Sequence, residues 1–360
     1  MRVLQLIDSL DLGGAERIAV EYANMLSQHI TQSHLCASRF EGKLVSTIHS
    51  DVNYFFLNRK RTLDFDAIKR LDAYIKKEKI TIVHAHSTSY FIATLLKFRN
   101  PSIVLIWHNH SGASIHLKGM KMRVLRFCST YFNTIISVNE DLVTWAHKKL
   151  KSQKVIYLPN FVNFSKDIKP LQETLKGVSG KRLVCLANLR DPKGHHFLIQ
   201  SFVTVQKEIP EATLHLIGKD FDDTYSNTLK ALIKQHQLQD NVFIYGQSST
   251  PESILEQCDI GVLSSSSEGL PMALLEYGRA KLSVVVTDVG YCSEVVKEYG
   301  KFVPYGDEEK MANAIKNYLK DTEKQQIDSH LFKEYVKDNF SAQHVRNQII
   351  KVYKSSFENI

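Results

Sequence analysis

The chain has 360 residues, of which 43% are apolar and 23% charged, with five cysteines. That length suits two domains of ordinary size, and that composition excludes a disordered, collagen-like or disulfide-stapled chain. The net charge of +8 comes from one half: residues 1–160 hold 22 Lys+Arg against 12 Asp+Glu, giving +10, and residues 161–360 hold the other 24 against 26, giving −2.

The first residues, Met1 to Ile7, read as a buried strand that begins at once, without the charged and apolar regions of a secretory leader. No apolar run approaches the roughly 18 residues of a membrane span. The cysteines (Cys36, Cys128, Cys185, Cys258, Cys292) form no CxxC. Buried, reduced thiols in a cytoplasmic protein are expected.

In the first half, strands are predicted at Val3–Asp8, Ile80–His86, Ile103–His108, Thr134–Val138 and Val155–Leu158. Amphipathic helices lie between them, such as Glu16–Ser27 with Ile18, Tyr22 and Met25/Leu26 on one face. The pattern breaks near Pro159–Asn163. A polar stretch from Ser165 to Arg182, with Pro170, Gly177 and Gly180, reads as a linker. The rhythm restarts with strands at Leu183–Leu189, Thr213–Ile217, Val242–Tyr245, Ile260–Leu263 and Val284–Thr287. The expected fold is α/β, two Rossmann-like domains with parallel sheets. The boundaries are 1–163, a linker at 164–182, a second domain at 183–340, and a C-terminal helix at 341–360 packing back toward the first domain.

Ligands of open α/β sheets bind beyond the carboxyl ends of the strands, so the residues after each strand carry the functional signal. The first loop, Asp11 to Arg17, contains Gly13 and Gly14 ahead of a helix, a backbone that a phosphate can approach. It matches neither GxGxxG nor a Walker loop. The second, Asn188-Leu189-Arg190-Asp191-Pro192-Lys193-Gly194, places Arg190 and Lys193 before a helix from about His195 to Glu208. Cations there oppose the helix dipole, a conflict that a bound diphosphate removes. The third, Ser267 to Glu276, sets Glu268 and Gly269 before a helix that Pro271 is expected to open, with Glu276 inside it. Side chains lean toward a helix N-terminus, so Glu276 can reach back toward the pocket of Glu268.

Together, Gly13-Gly14-Ala15-Glu16-Arg17, Arg190-Asp191-Pro192-Lys193-Gly194 and the Glu268…Glu276 pair resemble the retaining GT-B glycosyltransferases of family 4, bacterial surface-polysaccharide type. The likeness runs in order across nearly the whole chain. It implies two domains facing a central cleft and a metal-independent, retaining hexosyltransferase. Such an enzyme moves a hexose or N-acetylhexosamine from a nucleotide sugar, UDP-linked by expectation, to a glycan or lipid-linked acceptor. The pathway implied is capsule, O-antigen or lipopolysaccharide synthesis. Arg190 and Lys193 would hold the diphosphate, and Glu276 the ribose hydroxyls. Glu268 would contact the donor sugar, with the amides of Gly269 and Leu270 nearby. Gln247 and Ser248 would lie near the base, and Gly13 and Gly14 would close over the phosphates. His108 would touch the sugar or the reacting centre, and His86 and His110 would line the acceptor side. No cofactor, no metal and no nucleic acid are expected. The alternative is a sugar-nucleotide epimerase on the same fold.

Two HxH pairs, His84/His86 and His108/His110, end neighbouring strands and could in principle bind zinc, since residues i and i+2 share a strand face. Without a CxxC or an accompanying carboxylate they are read as strand histidines. Asp64-Phe65-Asp66 reads as a helix start rather than a metal site. Residues Leu117–Tyr131 form an amphipathic candidate with Leu117, Met120, Val124, Phe127, Cys128 and Tyr131 on one side and Lys118, Arg123 and Arg126 on the other. No acidic residue occurs from Lys79 to Asn139. This basic face is the expected acceptor or membrane side, a peripheral contact with the anionic inner face of the cytoplasmic membrane.

Overall fold

A computed structural model describes the whole chain except Ser111, Lys166, Asp167, residues 169–173, Ser249 and residues 358–360; the side chain of Ala113 is also outside the description. The linker residue Pro170 therefore lies outside the described residues. The chain divides into two compact units, Met1–Phe161 with the residues from Ala342 onward, and Val162–Ser341.

Unit 1 alternates strands and helices: β1 (Arg2–Ser9), α1 (Gly14–Ser27), β2 (Gln32–Phe40), β3 (Val52–Phe56), α2 (Phe65–Lys77), β4 (Ile82–His86), α3 (Tyr90–Arg99), β5 (Val104–Asn109), α4 (Gly119–Cys128), β6 (Thr134–Ser137), α5 (Glu140–Lys149) and β7 (Val155–Tyr157). Its seven strands run in the order β3-β2-β1-β4-β5-β6-β7, all pairs parallel. Unit 2 repeats the design with β8 (Arg182–Leu186), α6 (His195–Glu208), β9 (Thr213–Ile217), α7 (Thr224–Gln235), β10 (Val242–Gly246), α8 (Pro251–Leu255), β11 (Ile260–Leu263), α9 (Met272–Arg279), β12 (Ser283–Thr287), α10 (Cys292–Val296), β13 (Lys301–Val303), α11 (Glu308–Lys320) and α12 (Thr322–Phe340). Its six-stranded parallel sheet has the order β10-β9-β8-β11-β12-β13. The last helix, α13 (Ala342–Phe357), belongs to unit 1.

Three strands escape the sequence pattern. β2 (QSHLCASRF) buries Ser33, His34 and Ser38 among its apolar residues, so no alternation marks it. β3 and β13 are short edge strands. Partners on other elements hold these polar residues: the Ser33 hydroxyl donates to Ala23 O at 2.7 Å, and His34 Nδ1 meets the Tyr74 hydroxyl at 2.8 Å, while His34 Nε2 has no partner among the described residues. In unit 2 the apolar core gathers Leu183, Cys185, Phe197, Ile199, Phe202, Leu214 and Ile315. All five cysteines are buried and reduced.

Asp64 caps α2, its carboxylate accepting from Ala67 N at 3.0 Å, the helix-start role read from the sequence. The basic helix is shorter than the Leu117–Tyr131 read from the sequence. α4 covers only Gly119–Cys128, and its apolar face is not wholly covered: Met120 is 68% and Phe127 55% exposed. Only Leu125 and Cys128 are fully inside. An apolar groove of about 260 Å³ lies between α3 and α4, lined among others by Phe98, Arg123, Val124 and Phe127.

Candidate active site

In both sheets the strand order reverses direction once, between β1 and β4 and between β8 and β11, and ligands of this architecture bind at such switch points. In unit 2 the two loops flanking the reversal are Asn188–Gly194, after β8, and Ser264–Pro271, after β11. They are tied to each other. Ser266 N donates to Pro192 O at 2.9 Å, and the Ser264 hydroxyl donates to Lys193 O at 3.0 Å. The approach is possible because residue 194 is glycine: it has φ +63°, and a Cβ there would stand 2.1 Å from Ser264 O.

The same junction pairs the charged groups. Lys193 Nζ donates to Glu268 Oε1 at 2.6 Å, and the Ser265 hydroxyl donates to the same oxygen at 2.6 Å. The Glu268 side chain is 8% exposed and that of Lys193 20%. A carboxylate at that burial requires partners, because desolvation disfavours its charge. Here it has a cation and a hydroxyl. Arg190 stands exposed at the rim. Two helices begin beside the pair, α6 at His195 and α9 at Met272, and their N-termini favour negative charge. Pro271 is the residue before α9 rather than its first, with ψ 119°. Glu276 lies on α9 and is buried. Gly269 and Leu270 lead into the same helix start, and Gly269 O accepts from Tyr291 N at 3.3 Å.

Three residues that sequence reasoning passed over complete this junction. Ser265 shares the Glu268 oxygen. Thr287, at the end of β12, donates to Ser265 O at 2.6 Å. Gly290 (φ +54°) lets the next loop close over Glu268, since a Cβ there would lie 2.0 Å from Glu268 O. The signal was available, because Val289-Gly290 directly follows a predicted strand end. Gln247 and Ser248 follow β10 and are partly exposed, beside Gly246 at φ +69°.

Burial perturbs two histidines of this unit. His195, at the start of α6, is pushed down to about 4 by burial, with Lys193 adding to the shift. His215, on β9, is pushed down to about 4 by burial and then by Arg182.

In unit 1, Gly13 is the N-cap of α1 and Gly14 its first residue. The histidines depart from expectation. His86 and His108 are register partners on β4 and β5 and are both fully buried, as is His84. Their side chains share one face of the sheet with Tyr22 of α1, whose ring centroid lies 5.4 to 6.0 Å from the three imidazoles. His108 and His86 therefore do not present their rings to a sugar in this conformation; the α1 face covers them. His110, two residues on, reaches the outer end of the cluster. Lys118, Arg123 and Arg126 are exposed around α4.

Comparison with known proteins bears on the family and the fold. The family model for glycosyl transferases group 1 matches residues 169–349, and that for glycosyltransferase family 4 matches residues 12–166. An uncharacterized glycosyltransferase of Methanocaldococcus jannaschii is 26% identical over 207 residues, 54% of this chain and 50% of the relative, so the chain spans about half the length of that relative. Over most of both chains, the similar proteins include the Escherichia coli UDP-Gal:alpha-D-GlcNAc-diphosphoundecaprenol alpha-1,3-galactosyltransferase, 23% identical and covering 84% of each. The Escherichia coli O-antigen biosynthesis glycosyltransferase WbnH is 22% identical and covers 83% of this chain and 84% of its own. The solved structure of Anabaena HepE with UDP and glucose superposes with a TM-score of 0.82 at 16% identity, over 99% of this chain and 100% of that one, a likeness of fold. These relatives leave the epimerase alternative without support.

Proposed function

Because the chain belongs to the glycosyl transferases group 1 and is a GT-B glycosyltransferase of family 4, we propose that it is a retaining, metal-independent hexosyltransferase using a UDP-linked donor. Its acceptor is a glycan or lipid-linked saccharide of surface polysaccharide synthesis. The observation that carries this reading is the Lys193–Glu268 junction between the N-termini of α6 and α9, with Glu276 buried on the same helix.

The chemistry follows from those groups. As the bond to the sugar breaks, negative charge grows on the β-phosphate oxygen. Lys193, Arg190 and the α9 N-terminus supply fixed positive potential there without a metal ion. An arriving diphosphate competes with Glu268 for the Lys193 ammonium. Glu268 is then free to accept a hydrogen bond from a sugar hydroxyl while Ser265 still holds it. Glu276 accepts from the ribose hydroxyls, the amides of Gly269 and Leu270 face the donor, and Gln247 and Ser248 flank the base. His110, the outer member of its cluster, serves the acceptor side. No cofactor takes part.

Several features support the acceptor and its location. Two relatives are named for O-antigen biosynthesis and for a diphosphoundecaprenol-linked acceptor. No helix among the described residues is long and apolar enough to cross a membrane. The exposed Met120 and Phe127 stand among Lys118, Lys121, Arg123 and Arg126, the composition of a surface that inserts shallowly into anionic lipid. The enzyme works as a peripheral protein on the inner face of the cytoplasmic membrane.

The deciding experiment offers UDP-, GDP- and ADP-sugars with an undecaprenyl-diphosphate saccharide, with and without added magnesium or manganese, and reads the product by NMR. An acceptor carrying a new sugar in the donor's anomeric configuration, formed equally well without added metal, is the expected product. An inverted linkage, a rate that requires added magnesium or manganese, or an epimerised nucleotide sugar without transfer overturns the reading.

A further inference from the structure

Four imidazoles crowd the inner ends of β4 and β5, and the proposed transfer does not use three of them. Among His84, His86 and His108, one ring nitrogen from each lies within 4.8 Å of the others. All three residues are fully buried. His84 Nε2 and both nitrogens of His108 have no hydrogen-bond partner among the described residues. The same holds for the hydroxyl of Tyr22, which is fully buried and packed over all three rings. A buried polar group without a partner is costly, and several in one place call for a ligand.

The outward nitrogens of His84 and His86, by contrast, are held, and His108 has neither nitrogen fixed. His84 Nδ1 is 2.8 Å from the Tyr353 hydroxyl, and His86 Nε2 is 2.8 Å from Gln5 Oε1. Gln5 Nε2 in turn donates to the Tyr353 hydroxyl at 3.1 Å. Metal-ligating histidines show this division of labour: one nitrogen on the metal, the other fixed by a hydrogen bond that sets ring orientation and tautomer. His86 Nδ1 is 2.9 Å from His110 Nε2, so His110 can yield that position.

We propose that His84, His86 and His108 bind one divalent transition metal of the zinc class inside unit 1, with the Tyr22 hydroxyl as the fourth donor. The set is nitrogen-rich, which suits zinc and excludes magnesium and calcium. Tetrahedral metal–nitrogen bonds of about 2.0–2.1 Å require the nitrogens to draw together by up to roughly one and a half ångströms from the 4.8 Å limit. Coordination by Tyr22 releases its proton to solvent as the metal enters, leaving one net positive charge in the site. The ion is covered by α1, so its effect is read in the stability of unit 1.

The test uses the full-length protein with any affinity tag removed, refolded with and without zinc and then dialysed against a chelating resin. Mass-spectrometric metal analysis is expected to give about one zinc per chain. Cobalt in place of zinc should give the visible bands of a four-coordinate nitrogen site. H84Q and H108Q should lose the zinc at least tenfold, and H110Q should retain it. Less than about a tenth of an equivalent in the wild-type protein, or zinc retained in the H84Q/H108Q double variant, overturns the proposal. If the variants fail to fold, the cobalt spectrum of the wild-type protein decides by itself. UDP binding measured on the same samples reports separately on unit 2, so failure of one reading is distinguishable from failure of the other.

Discussion

Lys193 and Glu268, 75 residues apart in the chain, meet at 2.6 Å where the loops after β8 and β11 touch. The segment before Glu268 fixes both sides of the pair: the Ser264 hydroxyl donates to the backbone oxygen of Lys193, and the Ser265 hydroxyl donates to the Glu268 carboxylate. Removing the cation should therefore damage both donor binding and the leaving-group step. Lys193→Ala is expected to lower kcat by about 10²–10³, the usual loss for one preorganised donor at a developing anion. Steady-state kinetics with a circular dichroism melt checks this; an unchanged kcat in a folded variant would remove Lys193 from the mechanism.

Glu276 offers a sharper readout. If it accepts hydrogen bonds from ribose, Glu276→Gln should raise the KM for the nucleotide sugar by about tenfold or more, the cost of one hydrogen bond to a charged group. Wild type should also discriminate against a 2′-deoxyribose donor, and the variant should lose most of that preference. Equal discrimination by both proteins would place the ribose elsewhere.

Gly194 tests the architecture of the junction. At φ +63°, with a Cβ that would stand 2.1 Å from Ser264 O, Gly194→Ala must move one loop away from the other. A loss of about 1–3 kcal/mol in urea unfolding is expected. UDP affinity, by calorimetry, should fall with it.

Acid should weaken the fold through His195 and His215. Both are pushed down to about 4 in the folded protein, chiefly by burial. The unfolded chain, with ordinary imidazoles near 6.5, takes up the protons first. Their stabilising effect is full above that value and is lost as pH falls from about 6.5 toward 4, by up to about 1.4 kcal/mol per pH unit for each. Urea midpoints at pH 7.5 and 5.0 measure it, and His215→Asn should flatten the slope between them.

On anionic vesicles the protein should sediment with lipid at low salt and be released as salt rises. Each basic residue near such a surface contributes about 1 kcal/mol. Replacing Lys118, Lys121, Arg123 and Arg126 with Glu should therefore weaken binding by on the order of a hundredfold or more. Phe127→Ser should weaken it at every salt concentration, since it removes apolar insertion rather than charge.

The strand-end loops were legible because glycine, proline and charge fall there in an order that hydrophobic periodicity does not require. Arg190, Lys193, Glu268 and Glu276 were singled out that way. The pairing of Lys193 with Glu268 was not legible, since it depends on two loops distant in the chain closing on Gly194 and Gly290. β2 was hidden by serines and a histidine whose partners, Ala23 and Tyr74, lie on other elements. The exposed rings of α4 were hidden for a related reason. Periodicity reports an apolar face, and only the neighbouring helix decides whether that face is covered.

Unit 1 is discontinuous: it takes its last helix from the end of the chain, after all of unit 2. Gln5 and His84 bond to Tyr353, 348 and 269 residues onward. During synthesis the whole of unit 2 emerges from the ribosome before the earliest strands can acquire this partner. A chain released early, or clipped near residue 341, leaves the histidine-lined floor of the first sheet without its closing helix, and quality control would meet the N-terminal half as an unfinished product.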